Sequence, residues 1–342
     1  MNSPMSTADK KSSLAILALT KGALALGQQL AEKLPADLYP CKGRMQDVLA
    51  QVWQNYDGII CIMATGIVVR CLAPLLHDKF HDPAIVVLDE QGRFVISLLS
   101  GHIGGANALA REVAILTDGQ AVLTTASDVL GHTALDLWCQ KWQLQAADKA
   151  SLTRAMGRLV NHGSLRIYTE IAMPPLPPDM VQTGHLENAD LVISPYQIKT
   201  EKAALLHPPA LVLGIGCNRH TQEETIARAV VATLTKYKLA PAAVTKIASI
   251  DLKADEQGLL AYAAKQNLPL VFFNKEELNK VDNVQYSAAV FQATGAKGVA
   301  EPAALLAAGA SATLLVPKIK WPDVTTAVAL NAWPYLHTSE EK

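Results

Sequence analysis

The chain has 342 residues, half of them hydrophobic, and a formal net charge of −1, so it can form two or three domains with sizeable cores. Near-neutral charge and an aromatic content of only 5% argue against nucleic acid as a partner, which calls for a basic surface and stacking residues. The opening MNSPMSTADKKSSLAILALTKGALALGQQL has an apolar run, but Lys21, Gly22 and Gln28 interrupt it before about 20 apolar residues accumulate, so the expectation is a cytoplasmic protein with no membrane partner.

The first predicted strand is Leu14 to Leu19. Five cysteines, Cys41, Cys61, Cys71, Cys139 and Cys217, are odd in number and form no CxxC pair, which points to reduced, mostly buried thiols rather than a disulfide framework or a zinc site. Ile59 to Met63 reads as a strand buried on both faces; Ala64-Thr65-Gly66 breaks it, and Ile67, Val68, Cys71, Leu72 and Leu75 then recur at helical spacing. His77 and His81 are four apart, as helical metal pairs are, but the residues between them read as a solvated loop. Ala84 to Leu88 and Phe94 to Leu99 are further strands. The turn Ser100-Gly101-His102-Ile103-Gly104-Gly105 follows, then an Ala-rich helix from Ala106 to Leu116 and a strand at Ala121 to Thr124. Glycines let the backbone adopt φ > 0, and the start of the following helix favours anions, so both turns are candidate anion cradles. No GxxxxGK[ST] and no properly placed GxGxxG occurs.

Residues 1–145 thus read as an N-terminal parallel-sheet α/β domain. From 146 to 208 the pattern weakens to a small middle segment and linker, with a helix near Leu152 to Asn161, a strand at Leu165 to Tyr168 and the proline cluster Met173 to Met180. Residues 209–334 read as a C-terminal α/β domain with three layers. Its first strand opens at Ala210 and runs into Gly214-Ile215-Gly216-Cys217-Asn218-Arg219-His220. Thr221-Gln222-Glu223-Glu224 is a capping box for a helix reaching Tyr237. Strands follow at Val244 to Ile250 and Leu268 to Phe273, with a helix over Gln257 to Gln266 between them and others near Lys275 and Ser287. Pro302 is expected at the first position of a later helix. Ala312 to Lys318 and Val324 to Ala329 form a hairpin pattern, and the tail from Pro334 is expected to fray.

The runs MATGIVVRCLAPLL, DPAIVVLDEQGRFVISLLSGHIGGANALA, AVLTTASDVLGHTALD, LGIGCNRHTQEETI, ASIDLKADEQGLLAYA, GVAEPAALLAAGA and LLVPKIK, in that order from about residue 55 to 330, together resemble the CbiG family of cobalt-precorrin-5A hydrolases. The resemblance implies a role in anaerobic cobalamin biosynthesis: opening the ring A δ-lactone of cobalt-precorrin-5A and releasing C20 with its methyl group as acetaldehyde. It implies no cofactor, since the cobalt is carried by the substrate, and no separate enzyme metal. Neighbouring pathway methyltransferases are candidate protein partners, and a non-catalytic carrier of cobalt-corrinoid intermediates is the alternative function.

Lactone hydrolysis needs a base for water and donors for the oxyanion. His102 is the candidate general base, against a capped structural turn, and Glu301 is a second acid/base candidate, against a cap on its own helix bonded to Arg219. The substrate carries acetate and propionate carboxylates, so Arg70, Arg219 and Lys253 are candidate clamps, each against an ordinary solvated charge. Thr65, Gly66, Ser100, Gly101, Gly104, Gly105, Asn107, Gly214, Gly216 and Thr221 complete the candidate substrate contacts. Ser100 and Cys217 are nucleophiles by residue type, but Ser100 lies in no GxSxG elbow and an apolar-flanked cysteine is more often core.

Overall fold

The structure is a computed structural model that describes residues 14–77 and 81–334. The chain divides into two compact units, Met1–Leu137 and Trp138–Lys342. In the first, β1 (Leu14–Ala18), β2 (Ala36–Pro40), β3 (Gly58–Ile62), β4 (Ala84–Leu88), β5 (Phe94–Leu99) and β6 (Gln120–Val122) form one sheet in the order β2-β1-β3-β4-β5-β6. Strands β1, β3 and β4 are buried end to end because helices cover both faces. Ile16, Ile60 and Val86 pack on one side with Leu30 and Val113 from the helices Lys21–Ala31 and Ala106–Thr117. Ala15, Leu17, Ile59 and Ile85 pack on the other with Leu49 and Val68 from Met45–Val52 and Thr65–Leu72. Alternate residues serve opposite cores, so the strands read as unbroken apolar runs.

The sheet is mainly parallel, as expected, with one antiparallel pair of neighbours that reverses its last two strands. β1, β2, β3 and β4 are parallel, but β5 pairs antiparallel with β4, and β6 is parallel to β5. Only five residues join β4 to β5, too few for the crossover that a parallel pair needs. The Asp89 carboxylate closes the hairpin by accepting the Gln91 and Phe94 N–H groups at 2.8 and 2.7 Å, and Gly92 supplies a φ of 70°. Strand β2 was not expected from the sequence because its half-exposed residues give no apolar run.

In the second unit, β7 (Gln145–Ala146), β8 (Leu165–Thr169), β9 (Met180–Gln182), β10 (Leu191–Ile193) and β11 (Ala204–His207) form a sheet in the order β7-β11-β10-β8-β9, with the helix Lys149–His162 packed on β8 and β11. Apart from β8, with five residues, these strands have two to four, too few to show a period, which is why the rest of this stretch reads from sequence as a segment leading into a linker. Beneath it the buried Asp190 carboxylate is met by Arg158 at 2.9 Å and Arg166 at 3.3 Å.

The third sheet contains β12 (Leu211–Cys217), β13 (Val244–Ile250), β14 (Leu270–Phe273), β15 (Thr313–Trp321) and β16 (Val324–Leu330), ordered β14-β13-β12-β16-β15. The first three are parallel; β16 runs antiparallel to both neighbours. The helices Glu223–Lys236 and Gln257–Lys265 cover one face, and Ala300–Ala308 the other, giving three layers. Two local expectations are corrected. The Thr221 hydroxyl donates to the Asn218 carbonyl at 2.9 Å instead of capping the helix, whose N-cap is Gln222, so no capping box forms. Pro302 is the third residue of Ala300–Ala308, not the first, and it is still within the first turn, where no intrahelical donor is missed.

Gly214 explains how closely that helix approaches. A β-carbon there would lie 1.8 Å from the Ala300 carbonyl oxygen. Gly214→Ala is expected to cost at least about 2 kcal/mol in urea unfolding with little change in the slope of the transition; an unchanged midpoint would show that the helix can back away freely.

Candidate active site

Because β5 is reversed, its last residues and those of β6 share one edge of the first sheet, opposite the ends of β1, β3 and β4. Chain leaving β5 enters the glycine turn with Ser100 at φ 56°. Gly104 packs on Ser100, where a β-carbon would lie 2.3 Å from that of the serine, and Gly105 takes φ 87° as the N-cap of Ala106–Thr117. The turn spends its own donors: the N–H groups of Gly105, Ala106 and Asn107 bond to the carbonyls of His102, Ser100 and Gly101 at 2.9, 3.1 and 2.9 Å. The expected anion cradle is therefore closed at these three positions, and the compact turn instead fixes the direction of His102.

His102 points at the segment after β6. Its Nε2 is 2.8 Å from Asp128 Oδ2, in the short helix Ala126–Leu130, and its Nδ1 is 3.3 Å from Asp136 Oδ1 at the start of Leu135–Lys141. Asn107 is buried and joins three strands of the network: it accepts from Ser97 Oγ at 2.6 Å and donates to Thr125 Oγ1 at 3.0 Å and Asp128 Oδ2 at 2.8 Å. Arg111, one helical turn beyond Asn107, pairs with the other Asp128 oxygen while half of its side chain stays exposed. Two carboxylates beside one half-exposed guanidinium and one imidazole favour a proton on the imidazole.

The titration behaviour follows. The Asp136 hydrogen bond raises the His102 pKa above its ordinary value; burial opposes it and Asp128 adds to it. Burial pushes the Asp128 carboxyl up, but the hydrogen bonds from Arg111 and His102 outweigh it and hold the group below the usual range. The two carboxylates beside the ring favour its protonated form, in which both nitrogens donate.

The Ser100 hydroxyl donates to the Asp82 carbonyl at 2.9 Å. A cavity of about 560 Å3 lies beside the turn, walled by Ile103 and Gly104 together with Asp57, His77, His81 and Asp82. The Asp82 carboxylate accepts the His77 N–H at 3.0 Å; Asp78 to Phe80, the rest of the loop read from sequence, lie outside the described residues.

Thr65, Gly66 and Arg70 are at the other edge. Thr65 lines a separate cavity of about 610 Å3 with Thr20, Met63, Ile67, Asp89 and Glu90, at the carboxyl ends of β1, β3 and β4. Arg70 bonds back to the Gly66 carbonyl at 2.9 Å. The two glycine turns therefore belong to two sites, not one.

In the second unit Arg219 is paired with Asp255 and lies 3.9 Å from Glu256, which also takes Lys253 at 3.3 Å. Gly214 is a packing glycine, as described, while Gly216 and Lys253 border a cavity at the ends of β12 and β13. The Cys217 thiol is raised by burial, which does not favour a nucleophilic thiolate. Glu301 neither caps its helix nor meets Arg219. Its buried carboxylate accepts the backbone N–H groups of Gln285 at 2.6 Å and Lys318 at 2.7 Å, so it ties two chain segments together. All five cysteines are free. Among the described residues no group of His, Cys, Asp or Glu is arranged to hold a metal ion, and no helix is long and apolar enough to cross a membrane.

Sequence reasoning missed Asp128, Asp136 and Arg111. Asn107 and Arg111 are four apart on one helix face, a readable signal. Asp128 and Asp136 sit in the quoted run AVLTTASDVLGHTALD, where no spacing rule ties either to His102.

Residues 47–128 match the family model described as Cobalamin synthesis G N-terminal, and residues 211–329 the one described as Cobalamin synthesis G C-terminus. The chain is 38% identical over 311 residues to the cobalt-precorrin-5A hydrolase of Priestia megaterium, covering 84% of this chain and 82% of that protein. It is 34% identical over 326 residues to the cobalt-precorrin-5A hydrolase of Salmonella typhimurium, covering 87% and 92%. Protein CobE of Sinorhizobium sp is 37% identical over 123 residues, 35% of this chain and 79% of that one. Among solved structures, a cobalamin biosynthesis protein G homolog from Sulfolobus solfataricus is 23% identical, with coverage of 93% and 97% and a TM-score of 0.38.

Two predictions follow from these contacts. A pKa raised on folding stabilises the protein below the unfolded value near 6.5 and loses that contribution as pH rises through the folded value. The stability difference between wild type and His102→Gln should therefore be largest at pH 6 and shrink toward pH 9 in urea melts; a difference constant with pH would show that His102 is neutral. Glu301→Ala removes the acceptor of two part-buried N–H groups and should cost roughly 1–3 kcal/mol, with thermal melting as the check.

Proposed function

The chain belongs to the CbiG family, and we infer from that membership that it is a cobalt-precorrin-5A hydrolase of cobalamin biosynthesis, opening the ring A δ-lactone and releasing acetaldehyde to leave cobalt-precorrin-5B. The observation that carries this reading is coverage: relatives named for the activity align with more than four-fifths of both chains, so the likeness is not that of one shared module. The cobalt arrives inside the substrate.

Within this reading His102 is the acid. Water adds to the lactone carbonyl, the acyl C–O bond breaks, and the oxygen left on C20 needs a proton; an imidazolium held between Asp128 and Asp136 is equipped to give one and to be recharged. Arg111, half exposed on the same cluster, offers a guanidinium to a substrate carboxylate. The whole process is placed in the cytoplasm, with the labile product passed to a neighbouring methyltransferase.

The test is anaerobic incubation of the purified protein with enzymatically prepared cobalt-precorrin-5A, following acetaldehyde with an alcohol dehydrogenase couple and the corrinoid by mass. Acetaldehyde equimolar with the opened product is expected, and His102→Gln and Asp128→Asn should each slow it by about 100-fold or more. Tight binding of a substrate that stays intact would instead identify a carrier.

A further inference from the structure

The second unit has a cavity that the chemistry at His102 leaves unused. It measures about 310 Å3 and is bordered by Cys217 and Asn218 after β12, by Ile250 at the end of β13, and by Val324 at the start of β16. In the order β14-β13-β12-β16-β15 the chain proceeds from β12 to β13 on one side, while the late strand β16 occupies the other. Such a divergence leaves a crevice beyond the strand ends, and in open α/β sheets ligands bind there.

Its chemistry is asymmetric. Its lining includes the apolar Ile250, Val290 and Val299, three ammonium groups, Lys253, Lys318 and Lys320, and one carboxylate, Asp323, while the Trp321 indole N–H is turned to Thr233 and Thr326 at 3.0 and 3.2 Å. The acidic groups nearby are committed: Glu256 to Lys253 and Arg219, Asp323 to the Asn218 side chain at 2.8 Å, and Glu301 to two backbone N–H groups. Among the described residues, neither Lys318 nor Lys320 has a carboxylate within ion-pair distance. Lys318 is half-buried, with the Gln285 carbonyl at 3.5 Å from its nitrogen, and burial lowers its pKa against the pull of Glu301. Two neighbouring cations beside apolar side chains are complementary to a carboxylate on a short methylene chain. At about 310 Å3 the cavity is at the small end of ligand pockets, so it takes a side arm and not a macrocycle.

We propose that this cavity is a carboxylate subsite that seats one acetate or propionate arm of the tetrapyrrole, with Lys318 and Lys320 as its anion contacts and Ile250, Val290 and Val299 packed on the arm's methylenes. The identity of the arm's owner rests on the hydrolase reading; the preference for a carboxylate does not.

The experiment is calorimetric titration of the full-length protein with dicyanocobyrinic acid, whose arms end in free carboxylates, and with dicyanocobinamide, in which amides replace them. Wild type is expected to bind the acid more tightly, and Lys318→Gln with Lys320→Gln to weaken the acid at least about tenfold without moving the amide. Lys320→Gln alone, at an exposed strand position, guards against misfolding and should show part of the loss. The proposal is overturned if wild type shows no measurable binding of the acid, if variants that melt like wild type bind it equally, or if acid and amide weaken alike, since shape and not charge would then govern. Lysine-dependent binding by a wild type that releases no acetaldehyde sinks the hydrolase reading and keeps the subsite; acetaldehyde release with lysine-independent binding sinks the subsite alone.

Discussion

The site in the first unit depends on the direction of one strand. The five-residue link between β4 and β5 permits only an antiparallel return, and Asp89 locks it by holding the Gln91 and Phe94 N–H groups. β5 therefore delivers its glycine turn to the edge opposite the ends of β1, β3 and β4, and β6, parallel to β5, delivers Asp128 to the same edge. Had β5 run with its neighbours, His102 would have joined Thr65 and Arg70, and Asp128 would have had no partner there.

Buried carboxylates take different work in the two units according to what neutralises them. Asp128 is surrounded by His102, Arg111 and Asn107, side chains that can exchange a proton or turn toward a ligand. Glu301 is met by two backbone N–H groups, which can do neither. A carboxylate met by an imidazole is coupled to the imidazole's titration, and one held by main-chain donors links the segments that supply them.

The glycines divide in the same way. Gly104 and Gly105 shape a turn whose donors are used internally, so their contribution is to aim His102. Gly214 lets a helix approach a strand to within the space a methyl group would fill. Gly214 is a packing position inside β12, whereas Gly104 borders the cavity beside its turn.

The sequence by itself determined the elements: the apolar runs of β1, β3, β4, β12 and β13, the helices that follow the glycine turns, and through its ordered motifs the family. These are local, because period and turn chemistry are written in neighbouring residues. Tertiary structure decided what the residues do. Strand direction separated Thr65 from His102, and the pairing of His102 with Asp128 and Asp136, 26 and 34 positions away, raised its pKa. The five short strands β7 to β11 became a sheet only by pairing with one another. None of these is carried by a spacing rule, since contact order in the folded chain and not sequence interval fixes which charges share a low-dielectric site.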